Sequence, residues 1–212
     1  MAELLSEDEQ VEAIKQWLKK NGPGIVAGIA IGLAAIGGWR WWQNYQANIT
    51  YTASSYYEAM LAALREEDAP KARGQAAVLT DNYADTTYGV FAAFMLAKLD
   101  AESGDHEQAI AWLEWVLTHT EQRDLVDIAR LRLARVLLAA NRLDEAETQL
   151  NQVLSATYSA EQQELRGDVL LAKNQIDKAR AAYQAALASQ GLGTQNVALQ
   201  LKLDNLPASG AN

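Results

Sequence analysis

Side chains able to do chemistry are sparse in this chain of 212 residues: it has no cysteine and two histidines. The missing thiols exclude disulfides, thiolate zinc sites, iron–sulfur clusters, thiol nucleophiles and lipid attachment through an N-terminal cysteine. His106 and His119 stand 13 positions apart with no other soft ligand near them. That is not a metal-ligand spacing, and they read as a solvated turn histidine and a helix-end histidine. Glu161 and Glu164 share a side of a helix, as paired carboxylates for acid–base work do, but nothing in the sequence closes a pocket around them. They read as solvated surface. No nucleophile elbow, Walker loop or dinucleotide glycine pattern occurs, and Gly191-x-Gly193 follows no strand and reads as a linker. Neither an enzyme nor a cofactor is expected.

The length allows one sizeable domain plus appendages. Net charge is −9, of which −8 falls after residue 42. An acidic domain is repelled by phosphate backbones, so nucleic acid is not an expected partner. Three prolines and abundant alanine point to an all-α chain. A chain without cysteine suits either a reducing or an oxidising compartment.

The first element is apolar. From Asn21 to Trp39 runs a stretch without a charge, NGPGIVAGIAIGLAAIGGW. As a helix it is about 28 Å long, close to the roughly 30 Å hydrocarbon core of a bilayer. Lys19 and Lys20 flank one end; Arg40 follows the other, among Trp39, Trp41, Trp42 and Tyr45, an interfacial aromatic cluster. The run is longer than a signal-peptide core and lacks a clear cleavage site. It reads as a retained anchor over residues 21–42, with Asn21-Gly22-Pro23 as the helix start. Lys15, Lys19 and Lys20 precede it and only Arg40 follows closely, which predicts a cytoplasmic N-terminus and a translocated main domain. Gly24, Gly28 and Gly32 line one stripe where a partner backbone can approach, although glycine is also simply common in membrane helices. Ahead of the anchor, in a cytoplasmic tail over residues 1–20, Ser6-Glu7-Asp8-Glu9 fits a capping box. Val11, Ile14 and Leu18 then share a face that suits either the membrane surface or a docking partner.

The rest of the chain repeats. Gly104-Asp105-His106-Glu107-Gln108-Ala109 recurs as Asn141-Arg142-Leu143-Asp144-Glu145-Ala146 and as Asn174-Gln175-Ile176-Asp177-Lys178-Ala179. The closing alanines lie 37 and then 33 residues apart. Each has a small residue twelve positions earlier (Ala97, Ala134, Gly167), as two helices in a tight hairpin require. Large apolar residues follow at fixed offsets: Leu113, Val116 and Leu117; Leu150, Val153 and Leu154; Tyr183, Ala186 and Leu187. Gly104, Asn141 and Asn174 fall where a left-handed residue ends the first helix of each pair. The pattern resembles the tetratricopeptide repeat, over roughly 90–123, 127–159 and 160–192, although the early tryptophan and closing proline of that repeat are absent. Residues 45–83 read as a degenerate hairpin with Pro70 starting its second helix. Residues 193–206 read as a capping helix with Leu199 and Leu203 covering the last repeat. The expected architecture is a transmembrane helix, then a tetratricopeptide-like α-solenoid over 43–206 and a disordered tail over 207–212.

In such a superhelix the first helix of each repeat lines the concave side. The second, fifth and ninth positions give Phe91, Phe94 and Lys98, then Ile128, Leu131 and Arg135, then Glu161, Glu164 and Asp168. An apolar face with two cations at one end and acid at the other suits an extended or unfolded polypeptide. The spacing of Phe91 and Phe94 equally suits packing under the preceding hairpin. Replacing Phe94 and Leu131 by Asp is expected to weaken binding without loss of helicity. Trp112 and Trp115 lie on the outer face of a second helix, as filler between repeats or as a partner patch.

Asp8-Glu9-Gln10-Val11-Glu12-Ala13, Gly38-Trp39-Arg40, Thr87-Tyr88-Gly89, LRLARV at Leu131–Val136 and ELRGDVLLAKNQIDKARAAY at Glu164–Tyr183 together resemble the YfgM-type family of ancillary SecYEG translocon subunits. The likeness extends over nearly the whole chain. It implies a non-enzymatic, single-pass protein of the bacterial inner membrane with its repeat domain in the periplasm. The partners it implies are the SecYEG translocon and a PpiD-type periplasmic chaperone, with nascent or unfolded polypeptides passed between them. It brings no catalytic residues. A scaffold for outer-membrane or cell-wall assembly, built on the same repeats, is the alternative.

Overall fold

In the computed structural model, which describes residues 7–189 and 196–207, every regular element is helical. The chain divides into two compact units, Met1–Tyr51 and Thr52–Asn212, and helix α1 (Glu7–Arg65) contributes to both.

In the first unit α1 presents Ile25, Val26, Ile29, Ile31, Leu33 and Ile36 to its surroundings, all exposed. By length and composition it can cross a membrane. The expected helix start at Asn21-Gly22-Pro23 is corrected, because α1 runs straight through Pro23. Proline there forfeits one backbone bond to the preceding turn, and the helix continues on both sides of that local loss. The Asn21 side-chain amide turns back to donate to the Trp17 carbonyl at 3.0 Å. The short leading helix and the anchor are therefore one element. Ser6 of the expected capping box lies outside the described residues, and α1 begins at the next position. At the far end of the apolar stretch Trp39 meets Trp42, and Trp41 stacks on Tyr45 with ring centroids 5.9 Å apart.

The second unit is a series of helical hairpins. The last turns of α1 pair with α2 (Ala69–Asn82), α3 (Thr87–Glu102) with α4 (His106–His119), α5 (Arg123–Ala139) with α6 (Leu143–Asn151), and α7 (Ser159–Ala172) with α8 (Ile176–Ala188); α9 (Val197–Asp204) follows. α3 and α5 begin three to four residues before the expected repeat starts at 90 and 127. Thr86 accounts for the first difference, because its hydroxyl accepts from the Gly89 amide and caps the earlier turn.

The turns carry the repeat. Gly104, Asn141 and Asn174 hold φ of 84°, 59° and 59°, as expected. Around each, two backbone bonds close the helix end: for Gly104 the Asp105 amide donates to the Asp100 carbonyl at 2.9 Å and the Gly104 amide to Ala101 at 3.2 Å. This paired arrangement satisfies carbonyls that a helix end leaves free. The first hairpin makes the same turn on Glu67, at φ 57°, with Asp68 donating to the Ala63 carbonyl. Ala72 then falls in the register of the repeat alanines and is fully buried, followed by buried Ala76 and Leu79. Pro70 lies in the first turn of α2, as expected.

The small residues meet in the core: Ala97, Ala109, Ala134, Ala146 and Ala179 are at most 3% exposed, and Gly167 is buried. Of the expected groove fillers, Leu113, Val116, Leu150, Val153, Tyr183 and Ala186 are buried. Leu154 is corrected: it is 73% exposed, because α6 ends at Asn151 and the chain has already left the helix. Buried Asp127 organises that exit by accepting from the amides of Leu154 and Ser155 at 3.3 and 2.9 Å. α9 caps the last hairpin, with Leu199 buried and Leu203 packed beside it on the cluster of Tyr183 and Ala186. Residues 208–212 of the expected tail, and the linker glycines 191 and 193, lie outside the described residues.

Candidate partner-binding groove

Two first helices, α3 and α5, border a groove of about 400 Å³ that Leu113 of α4 also lines. From α3 come Phe94, Ala97, Lys98, Ala101 and Glu102, a stripe at helical spacing; from α5 come Arg132, Arg135 and Val136.

Three of the six expected concave residues, Phe94, Lys98 and Arg135, therefore share one groove. The other three are elsewhere. Leu131 is 2% exposed, a core residue beneath the surface, and Ile128 is half-buried against the same core. Phe91 packs on the preceding hairpin, its ring 6.0 Å from that of Tyr57, which is the second of the two placements its spacing allowed. Phe94 itself is 6% exposed, so the groove is not the open apolar face expected. The reason is register. The face that α5 turns to the groove carries Arg132, Arg135 and Val136, rotated from the counted set so that Arg132 replaces Leu131 while Arg135 is kept. The stripe of Arg132, Arg135 and Val136 at i, i+3 and i+4 was the available signal. Phe94→Asp and Leu131→Asp would consequently bury a charge in the core and unfold it, so they cannot serve as tests of binding.

The guanidinium of Arg132 stands 4.7 Å from the centroid of the Phe94 ring and covers it. Burial holds the Arg132 pKa below the usual arginine value; neighbouring Arg135 lowers it further and Glu161 partly offsets this. Lys98 makes a loose pair with Glu102 at 3.7 Å, and Arg135 a close one with Glu161 at 2.7 Å.

The acidic end is not bare, contrary to expectation. Lys202 of α9 reaches across to Glu164 at 2.9 Å and to both oxygens of Asp168 at 2.8 Å. The Tyr183 hydroxyl also donates to Asp168 at 2.8 Å. Glu161, Glu164 and Asp168 thus belong to an ion-pair network. Lys202 lay outside the repeat pattern, where no periodicity pointed to it. Trp112 and Trp115 pack as filler against the cores, Trp112 touching two of them. His119 stacks on Trp115 with centroids 3.7 Å apart, and its Nδ1 lies 2.8 Å from the Trp115 carbonyl. Among the described residues no three His, Asp or Glu side chains converge as a metal site. Gly24, Gly28 and Gly32 lie on the exposed surface of α1, with nothing within 4 Å of where a Cβ would stand.

A family model described as a tetratricopeptide repeat-like domain matches residues 15–208. The chain is 32% identical to an ancillary SecYEG translocon subunit of Haemophilus influenzae, over 97% of this chain and all of that one. It is 30% identical to the ancillary SecYEG translocon subunit of Escherichia coli K12, over 95% and 97% of the two chains. Among solved structures, MamA 41-end from Desulfovibrio magneticus RS-1 superposes with a TM-score of 0.59 at 19% identity, covering 71% of this chain and 81% of that one. That likeness is one of fold.

Proposed function

Because the chain belongs to the family of ancillary SecYEG translocon subunits, with a tetratricopeptide repeat-like domain, we propose that it is a non-enzymatic partner of the Sec translocon, held in the inner membrane by α1 and passing translocated polypeptides to periplasmic chaperones. The observation that carries this reading is the span of the relationship: it covers the anchor and the repeats together over nearly the full length of both chains. A repeat domain alone fits many partners. The apolar, exposed stretch of α1 from Ile25 to Ile36 supports a place in the bilayer, and Lys15, Lys19 and Lys20 ahead of that stretch support a cytoplasmic N-terminus. The groove between α3 and α5, with Lys98 and Arg135 at its wall, is the surface proposed to take polypeptide, and a parvulin-type chaperone of the PpiD kind is the proposed recipient. The stripe of Gly24, Gly28 and Gly32 is the proposed contact of the anchor with a neighbouring membrane helix.

The test is mass spectrometry of what accompanies the tagged full-length protein in mild detergent. Translocon subunits together with a periplasmic chaperone are the expected finding, and Gly28→Leu should deplete the translocon subunits without releasing the protein from the membrane. Outer-membrane or cell-wall assembly factors in their place would move the function to scaffolding.

A further inference from the structure

The repeat unit is strongly acidic overall, yet the groove between α3 and α5 is bordered by three cations, Lys98, Arg132 and Arg135, against two carboxylates, Glu102 and Glu161. The two carboxylates are already engaged, Glu102 by Lys98 and Glu161 by Arg135. Arg132 differs from its neighbours. Among the described residues no carboxylate lies within ion-pair distance of it, and its guanidinium lies over the face of Phe94. A guanidinium that has no carboxylate paired with it and a second arginine one turn away bears an uncompensated charge and a repulsion, which Glu161 offsets only in part. A carboxylate placed on Arg132 relieves both, and the planar donor fork of arginine suits bidentate capture. Beside it Phe94, Ala97, Ala101 and Val136 line the groove with apolar atoms.

From this juxtaposition we propose that the groove selects, among polypeptide segments, an extended stretch in which an internal aspartate or glutamate follows a large apolar residue: the apolar side chain enters between α3 and α5 and the carboxylate pairs with Arg132. The proposal rests on the reading that this groove takes polypeptide, and it adds what that polypeptide must carry. Basic segments are disfavoured by the same three cations. The occupant is a partner or client chain, since a side-chain carboxylate inside a chain is what an arginine in the wall of an open groove can reach.

The test uses the full-length protein in detergent micelles and two fluorescent peptides with blocked ends, identical except that Leu-Asp-Phe in one is Leu-Asn-Phe in the other. Fluorescence anisotropy is expected to show the aspartate peptide binding about tenfold more tightly, the size of one charge-assisted pair, about 1.4 kcal/mol. Arg132→Gln should bring its affinity down to that of the asparagine peptide, and Arg132→Lys should restore part of the preference. Arg132→Glu should make a lysine-bearing version of the peptide the preferred one. Helicity by circular dichroism checks that each variant is folded. Equal affinity for the two peptides, or an Arg132→Gln effect that is the same on both, overturns the charge selection and leaves the groove as a general polypeptide site. Binding of neither peptide overturns the polypeptide reading itself.

Discussion

Gly167 and Tyr183 solve at one crossing a problem that the other repeats solve with different sizes. In the register where Ala97 is matched by Leu113 and Ala134 by Leu150, all four buried, the last hairpin has the smallest residue against a larger ring. A Cβ on Gly167 would overlap Cε1 of Tyr183, whose ring is fully buried and has nowhere to go. Gly167→Ala therefore sets two effects against each other. Helix propensity gains about 1 kcal/mol, while overpacking a rigid core costs about 1–3 kcal/mol or more at so short a contact. Overpacking should win, and thermal unfolding of the full-length protein followed by circular dichroism is expected to shift down by several degrees. Adding Tyr183→Leu rebuilds the pairing of the other repeats and should recover most of that loss, less the hydrogen bond to Asp168. An unchanged melting temperature for the single variant would mean that the ring and helix part without cost. Other single residues were unequally legible. Asn141 and Asn174 announce their left-handed turns, because asparagine tolerates that conformation, whereas Glu67 adopts it without any such signal, held by the bonds of its neighbours.

Among the elements, α9 is attached in part by charge. Burial opposes the ammonium of Lys202, but its bonds to Asp168 and Glu164 outweigh that and hold its pKa above the ordinary lysine value. Burial raises the phenol of Tyr183, and its bond to Asp168 adds to the effect. Both groups have folded pKa values above their unfolded ones of 10.5 and 10.0, so their stabilisation is complete below about pH 10 and is lost as pH rises through the folded values. Lys202→Met should accordingly lower the melting temperature at pH 8 and make a smaller difference at pH 11. A gap of the same size at both pH values would show that the charge contributes nothing and that α9 is held by its apolar contacts. The cap itself was legible from Leu199 and Leu203, because apolar spacing announces a covering helix. Its ionic contact was not, because Lys202 pairs with residues 34 and 38 positions earlier and no local pattern reports such a distance. The same limit applies to α5. Periodicity located the helix but left its rotation free by one residue, enough to exchange Leu131 for Arg132 in the groove. Pro23 misled for the opposite reason: a strong local signal for a helix start was overridden by the continuous helix on both sides.

For the molecule as a whole, the proposed function depends on which compartment holds each end. An apolar helix can be threaded either way, and the bias is set by basic residues near its ends, here three lysines before the span against Arg40 after it. A chain without cysteine makes the arrangement directly measurable, since any cysteine introduced is the only one. Gln16 precedes the span and Gln184 lies on α8, and both are exposed, so Gln16→Cys and Gln184→Cys should disturb neither the core nor the anchor. In cells with a permeabilised outer membrane, a membrane-impermeant maleimide is expected to label Gln184→Cys at once and Gln16→Cys only after lysis. Replacing Lys15, Lys19 and Lys20 together by asparagine removes the bias and should make part of the population label at Gln16→Cys without lysis. The reverse pattern in the otherwise unaltered chain would place the repeats in the cytoplasm, where they could meet polypeptides only before translocation. Labelling of both positions without lysis would mean that α1 does not span, and the proposed transfer of polypeptides from translocon to chaperone would lose its physical basis.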